Sequence, residues 1–147
     1  MIRGRLIGTG GRLRPFILAR LFLPSQGISG DVNFLVDTGA DNTVLATSAA
    51  ASLRIDAARL PPGPPSGGVG GVTPTVYAAA TFALEDYRYD LALRILAPRT
   101  AAQRLALAHI PSLLGRDILS HFALFFEERT GRVLLLTPEE ADALNLR

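Results

Sequence analysis

The sequence is organised around one stretch, Phe34-Leu35-Val36-Asp37-Thr38-Gly39-Ala40-Asp41-Asn42-Thr43-Val44-Leu45. An apolar run leads into Asp37, and a second strand-like run, Thr43 to Leu45, follows. An aspartate is costly to bury without partners. Gly39 lets the chain turn sharply and brings backbone N–H groups near the carboxylate. The pattern therefore indicates that Asp37 is presented as a reactive group, and the alternative interpretation is an Asp-Gly-type turn after a buried strand.

A second informative stretch follows about 75 residues later, Ile110-Pro111-Ser112-Leu113-Leu114-Gly115-Arg116-Asp117-Ile118-Leu119. Its leucines predict a short apolar strand, and the residues from Arg116 to His121 predict a short amphipathic helix. Between the two stretches, residues 61–72 are rich in proline and glycine. This segment is either a linker between two domains or a mobile loop, and the loop is favoured because neither half of the chain would hold a good core alone.

The two stretches resemble two segments of retropepsin-like aspartic proteases. The first matches the active-site pattern apolar-apolar-Asp-Thr/Ser-Gly-Ala, and the second matches the apolar-apolar-Gly-Arg-Asp/Asn segment near the C-terminus. Richness in Ala, Leu, Arg and Pro suggests a bacterial member of the family. The resemblance implies a mainly β fold in which residues 1–147 form a single closed β-barrel domain of acid-protease type. One or two short helices accompany the barrel, and two chains form a homodimer.

The resemblance also implies a function, aspartic endopeptidase activity on a peptide or protein substrate. Such catalysis needs two carboxylates that share one proton and activate one water. The chain has one Asp-Thr-Gly, so each subunit of the homodimer would supply one Asp37. The alternative is a non-catalytic module of the same fold that binds peptides or mediates dimerisation.

Further site residues follow from the resemblance. Asp41 and Arg116 match a buried acid–arginine pair that braces the active-site loop against the C-terminal helix, and Arg14 matches an arginine that reaches Asp41 of the other subunit in retroviral members. The glycine-rich segment matches the flap that closes over the substrate. The implied residues are Thr38, Gly39, Ala40, Asp41 and Arg116 in loop support, Gly67, Gly68, Val69, Gly70 and Gly71 in the flap, and Leu113, Leu114 and Gly115 in the hydrophobic-Gly motif.

The remaining pattern predicts secondary structure. Strands are expected from Arg3 to Gly8, Phe16 to Leu23, Val32 to Val36, Val76 to Leu84 and Tyr87 to Leu96, with a turn from Pro24 to Asp31. A hairpin is expected from Phe122 to Leu136. Thr47 or Ser48 is expected to cap a helix over 49–53, and Thr137-Pro138 to begin a helix that ends near Leu146. Residues 98–108 fit either a helical turn capped by Thr100 or an insertion loop.

Composition limits the other classes of function. Cysteine is absent, so disulfides and thiolate metal sites are excluded. His109 and His121 lack partners at metal-ligand spacing, so neither a metal nor another cofactor is expected. The arginines are scattered, which disfavours a nucleic-acid surface. No apolar run reaches the roughly 18 residues of a membrane helix, and the start Met1 to Arg5 lacks a signal-peptide core, so a cytoplasmic location is expected.

Overall fold

A computed structural model describes residues 1–8, 11–68 and 71–146. The strands, in chain order, are β1 (Ile2–Arg3), β2 (Arg5–Ile7), β3 (Arg14–Leu23), β4 (Ile28–Val36), β5 (Val44–Leu45), β6 (Ser66–Gly68), β7 (Gly71–Thr73), β8 (Thr75–Leu84), β9 (Tyr87–Leu96), β10 (Ser112–Leu114), β11 (Ala123–Glu127) and β12 (Arg132–Leu136). The α-helices are α1 (Thr47–Ser52), α2 (Ala101–Leu107), α3 (Arg116–Leu119) and α4 (Pro138–Ala143).

Six of these strands close into a barrel in the order β3-β4-β10-β5-β9-β8, because β8 pairs back onto β3. Side chains alternate along β3, so that Ile17, Ala19 and Leu21 are buried on one face of the strand. Leu18 and Arg20 point to the other face and are exposed. The barrel is filled by such side chains, and the rings of Phe34 and Phe82 lie 5.0 Å apart at its centre. Strands from both sides of residues 61–72 share this one barrel.

The loop that the resemblance identifies as the active-site loop, residues 37–43, lies where β10 inserts between β4 and β5. Strand β10 runs parallel to β4, with Leu114 opposite Val36, and antiparallel to β5, with Leu113 opposite Val44. Residues 37–43 connect β4 to β5 and therefore cross the end of β10. The predicted apolar runs around Asp37 and Gly115 thus become three adjacent strands, and the two sequence motifs meet in space.

A second, three-stranded sheet has the order β1-β12-β11. Strand β1 pairs with β12 of its own chain, with Ile2 opposite Leu135. Strand β2 follows after Gly4 and pairs with β3 in the barrel sheet. The single strand predicted from Arg3 to Gly8 is therefore wrong. The chain divides at Gly4, and only glycine fits there, because a Cβ would lie 2.6 Å from the Phe16 carbonyl oxygen and from the Ile17 side chain.

Several predicted boundaries need correction. The predicted turn from Pro24 to Asp31 is shorter than expected, because a 3₁₀ turn and Gly27 at φ 62° reverse the chain at once and β4 begins at Ile28. Helix α1 begins at Thr47 and its N-cap is Ala46, so the predicted cap at Thr47 or Ser48 is wrong. The C-terminal helix ends at Ala143 and does not extend to Leu146.

Other local predictions are confirmed. Strands β8 and β9 lie where they were predicted, joined at Glu85-Asp86. Thr100 and Thr137 each cap a helix through a capping box, with Gln103 and Glu140 as the returning side chains. The described residues contain four short α-helices. The resemblance implied one or two and the sequence pattern predicted three, and α2 resolves the ambiguity over residues 98–108 in favour of a helix. No helix in the described ranges is long and apolar enough to cross a membrane.

Candidate active site

Asp37 lies directly after β4, at the start of the loop. Its backbone N–H donates to the carbonyl oxygen of Leu114 at 3.1 Å. This hydrogen bond to β10 fixes the backbone of Asp37 at the end of β4. The Asp37 carbonyl oxygen accepts from the N–H of Ala40 at 3.2 Å, which closes a turn. The side chain is half-buried, and Thr38 and Gly39 beside it are exposed. The backbone of Asp37 is therefore fixed by hydrogen bonds, while its carboxylate remains accessible to solvent.

Gly39 contributes through its small size. Its N–H donates to Asp37 Oδ1 at 2.9 Å, as the sequence predicted for this turn. A Cβ on Gly39 would lie 3.3 Å from the same oxygen, which is tighter than an ordinary contact. Gly39 is not among the glycines with positive φ. A side chain here would require the Asp37 carboxylate to shift by a few tenths of an ångström, so glycine favours the close approach to the carboxylate and is not required by the backbone conformation.

The loop is anchored from inside by Asp117, a residue that sequence reasoning did not assign. Its carboxylate accepts from the N–H of Thr43 at 2.9 and 3.0 Å, from the Thr43 hydroxyl at 2.7 Å and from its own neighbour Ile118 N–H at 2.9 Å. The Thr43 hydroxyl oxygen in turn accepts from Gly115 N–H at 3.1 Å. Thr43 is 1% exposed. This network joins the loop to both the hydrophobic-Gly motif and α3.

Gly115 allows that junction to form. A Cβ at this position would lie 2.4 Å from the carbonyl carbon of Asn42 and 2.5 Å from its oxygen, so any side chain would push the loop away. Two further backbone bonds cross the junction, from Arg116 N–H to Ala40 O at 2.8 Å and from Asp117 N–H to Asp41 O at 3.1 Å. The glycine of the second motif is thus required by the backbone of the first.

Asp41 and Arg116 form the predicted ion pair, but the pair is not buried in this chain. The Asp41 side chain is 75% exposed and that of Arg116 is 58% exposed. The expectation of a buried pair is therefore corrected, because both side chains leave the loop towards solvent while Asp117 occupies the inner position. Arg14 is the first residue of β3, and its guanidinium lies 5.8 Å from the Phe16 ring centroid.

The predicted flap begins and ends in a two-stranded sheet. Strands β6 and β7 pair antiparallel, with Gly67 opposite Val72 and Gly68 opposite Gly71. Val69 and Gly70 lie outside the described residues. The base is tied to the barrel, since the Thr75 hydroxyl donates to Pro64 O at 2.6 Å and Tyr77 N–H donates to Pro61 O at 2.9 Å. The two strands of the predicted flap are therefore attached to the barrel at their base.

The remaining candidates have structural surroundings. The Ser112 hydroxyl is buried and accepts from Ala46 N–H at 2.9 Å, which ties β10 to the start of α1. The His121 ring stacks on Tyr89 with centroids 4.4 Å apart. Within residues 1–8, 11–68 and 71–146, no group of three histidine or acidic side chains could hold a metal ion.

Comparisons with known proteins agree with this geometry. A model of the aspartyl protease family matches residues 27–118, which include both motifs. The EIAV protease complexed with the inhibitor HBY-793 is 24% identical with a TM-score of 0.53, covering 78% of this chain and 92% of that one. A retropepsin-like aspartic protease from Rickettsia conorii is 15% identical with a TM-score of 0.54, covering 90% and 87%. None of the curated proteins searched matches the chain.

Proposed function

We propose, from the premise that this chain belongs to the aspartyl protease family, that it is a homodimeric endopeptidase with one catalytic Asp37 in each subunit. The family match and the retropepsin-like fold confirm the resemblance found in the sequence. They make the chain an aspartic-type peptidase. The dyad, the dimer, the roles of the site residues, the single-domain organisation of residues 1–147 and a cytoplasmic location are the proposed part.

The observation that carries the proposal is the presentation of Asp37. Its backbone is held by Leu114 and its carboxylate by the N–H of Gly39, while the side chain stays accessible. The two other acids of this region are engaged elsewhere, Asp117 by Thr43 and Asp41 by Arg116. The chemistry needs two facing carboxylates, and of these three acids Asp37 alone is neither in an ion pair nor bound to Thr43. The second carboxylate therefore comes from another copy of the chain.

The chemistry follows from bringing two carboxylates together. Two such groups a few ångströms apart cannot both ionise, so the pair holds one proton and titrates in two steps. The ionised carboxylate takes a proton from a bound water as this water attacks the scissile carbonyl carbon, and the protonated one donates a hydrogen bond to the carbonyl oxygen. The Gly39 N–H bond fixes which way each carboxylate faces.

The three-stranded sheet offers a surface for the second copy. Strands β1 and β11 are its two edge strands in the described residues. Phe126 lies opposite Val133 in the register of β11 and β12 and so shares its face, yet Phe126 is 47% exposed and Val133 is 1% exposed. This face of the sheet is therefore buried at β12 but exposed at β11. Because this exposed aromatic side chain lies on β11, we propose that two β11 edges meet at the dimer axis.

The experiment is a cleavage assay against a peptide library between pH 4 and pH 7, at low and high protein concentration. We expect the unmodified chain to cut peptides with a rate that rises faster than linearly with protein concentration. Asp37→Asn should lose activity by roughly 10³-fold or more because the water then lacks its base.

Asp31→Asn is the matched control, since it makes the same change in an exposed acid of β4 that pairs with Arg20. It should cut as the unmodified chain does. An Asp37→Asn protein that retains full activity contradicts the dyad. A chain that cuts no peptide at any concentration contradicts the enzyme and favours the peptide-binding module.

A further inference from the structure

A groove of about 550 Å³ lies on the outer face of the barrel, beside β1 and β2. Its lining includes four exposed arginines that are far apart in the sequence, Arg3, Arg5, Arg20 and Arg88. Leu18 also lines the groove, on the face of β3 that points away from the core. The fold therefore gathers arginines that the sequence scatters into one basic groove with an apolar patch.

The groove coincides with an interruption along one edge of β3. Strand β4 pairs with β3 over residues 16–23, whereas the other edge of β3 pairs with β2 at residues 14–16 and with β8 at residues 20–22. In the part of the chain that the structure describes, residues 17–19 therefore have a partner strand on one edge only. Two residues of this interval line the groove. An extended peptide segment matches the shape of such an interval between strands.

Two of the four arginines are positioned by one aromatic ring. The guanidinium carbons of Arg20 and Arg88 lie 5.7 and 5.6 Å from the ring centroid of Phe22, within the range of a cation–π contact. In the strand register Arg20 lies opposite Ala83, which in turn lies opposite Arg88, so both arginines share one face with a small residue between them. The two guanidinium groups are therefore held at the groove before any ligand binds.

The groove carries an excess of positive charge. Its lining includes two acids, Asp31 and Glu85, against the four arginines. Asp31 pairs with Arg20, whose Nη1 lies 3.0 Å from Asp31 Oδ1. Among the described residues, the other three arginines of the groove are in no ion pair. These three guanidinium groups are available to carboxylates, which they can bind through two parallel hydrogen bonds each.

We propose that this groove binds an extended acidic segment of another protein that also carries a large apolar side chain. The carboxylates of the segment meet the three arginines that are in no ion pair, and its apolar side chain covers Leu18, which is 48% exposed. A nucleic acid fits less well, because Asp31 and Glu85 would repel its phosphates. This inference does not rest on the proposed peptidase function.

The test is a titration followed by fluorescence anisotropy. The probe is a fluorescein-labelled peptide of about ten residues with four glutamates and two leucines, and every protein carries Asp37→Asn so that the probe is not cut. Arg5→Gln/Arg88→Gln is compared with Arg59→Gln/Arg104→Gln, which removes the same charge from exposed arginines outside the groove. We expect the groove variant to bind the peptide about fivefold or more weakly, and the control variant to change binding by less than about twofold.

Changes in the probe test the chemistry of the partner. Replacing each glutamate of the peptide by glutamine, or raising the salt concentration, should weaken binding because the contacts are between exposed charges. Replacing each leucine by serine should also weaken it, and equal binding of this analogue would overturn the assignment of an apolar contact.

Three further results overturn the proposal. They are the absence of saturable binding at low salt, equal weakening by the groove and control variants, and tighter binding of an oligothymidylate of about ten nucleotides than of the peptide. The last result would make the groove a nucleic-acid surface. If the double groove variant does not fold, Arg88→Gln and Arg104→Gln are compared as single variants.

Discussion

The inner side and the outer rim of the active-site loop are held in different ways. Inside, Asp117 bonds to the backbone and hydroxyl of buried Thr43 and connects through it to Gly115. Outside, Asp41 pairs with Arg116, and both side chains are mostly exposed. Both pairs join the loop to α3. A hydrogen-bond network shielded from water contributes more to the free energy of unfolding than an ion pair in water. We therefore expect the inner side to fix the loop, and the outer rim to add little to the stability of a single chain.

The largest effect is expected at the inner side. Asp117→Ala leaves the N–H and hydroxyl of Thr43 without their acceptor in a buried site, which should lower the free energy of unfolding by roughly 3 kcal/mol. Urea unfolding followed by circular dichroism measures it. Asp117→Asn is the control, because one oxygen still accepts from Thr43, and it should lose less. A loss below about 1 kcal/mol for Asp117→Ala would remove the basis of the contrast.

A smaller loss is expected for Thr43→Val. The substitution keeps the shape of the side chain but removes the donor to Asp117 and the acceptor for Gly115 N–H. The cost should be roughly 1–3 kcal/mol, since a buried N–H is left unpaired. Thr43→Ser keeps the hydroxyl and is the comparison variant in the same urea experiment. If both variants unfold alike, the hydroxyl does not hold the loop.

The two faces of β11, the proposed dimer edge, should also differ in their effect on dimerisation. Phe126→Ser should weaken the dimer by at least about tenfold, because a half-exposed aromatic would lose its partner across the edge. Phe125→Ser is the neighbouring control on the opposite face, where the Arg132 guanidinium lies 5.1 Å from the Phe125 ring centroid. Sedimentation equilibrium gives both dissociation constants. Equal weakening by the two variants would mean that the dimer does not form through this face.

The outer rim should respond weakly. Asp41→Asn removes the ion pair with Arg116, and since both side chains are exposed the free energy of unfolding of the single chain should fall by less than about 1 kcal/mol. The measurement is urea unfolding at a protein concentration below the dimer dissociation constant. A loss as large as that of Asp117→Ala would show that the two sides of the loop are held equally.

The smallest effect on stability is expected at Glu127 in the β11–β12 hairpin, and its direction with pH can be predicted. Hydrogen bonds from Thr130 and Arg132 lower the pKa of Glu127, with Arg129 contributing less. A carboxyl whose pKa is lowered in the folded state stabilises above its ordinary range and stops doing so as pH falls through the lowered value. Glu127→Gln should therefore be slightly less stable than the unmodified chain at pH 7, and the gap should close in strong acid. Thermal unfolding against pH measures this, and a gap that widens in acid would reverse the assignment.

The sequence predicted the elements with strong local signals. The run before Asp37, the strand-like runs of β8 and β9 and the Thr137-Pro138 helix start all depend on neighbours in the chain, and each lies close to its predicted place. The meeting of the two motifs was predicted by resemblance to a known family. The inner anchor was missed because Asp117 finds Thr43 only after β10 inserts between β4 and β5, and nothing local marks an acid of a helix start as a loop anchor.

The position of the ion pair could not be read from the sequence for a related reason. The resemblance pairs Asp41 with Arg116. It does not say which of two acids that lie close together in the fold, Asp41 or Asp117, points into the protein. Gly115 permits the close crossing in which Asp117 reaches Thr43, since only a residue without Cβ lets the Asn42 backbone approach it. A glycine between an apolar run and a short helix is the signal that could have indicated a close backbone crossing.

The most direct test of the central claim, one Asp37 from each of two chains, mixes the unmodified chain with Asp37→Asn at constant total concentration and allows subunits to exchange. If one carboxylate per subunit is required, only dimers of two unmodified chains cut, and the rate should fall as the square of the unmodified fraction, to about a quarter in an equal mixture. A rate that falls in simple proportion, to one half, would mean that each chain carries a complete site and would contradict the shared dyad.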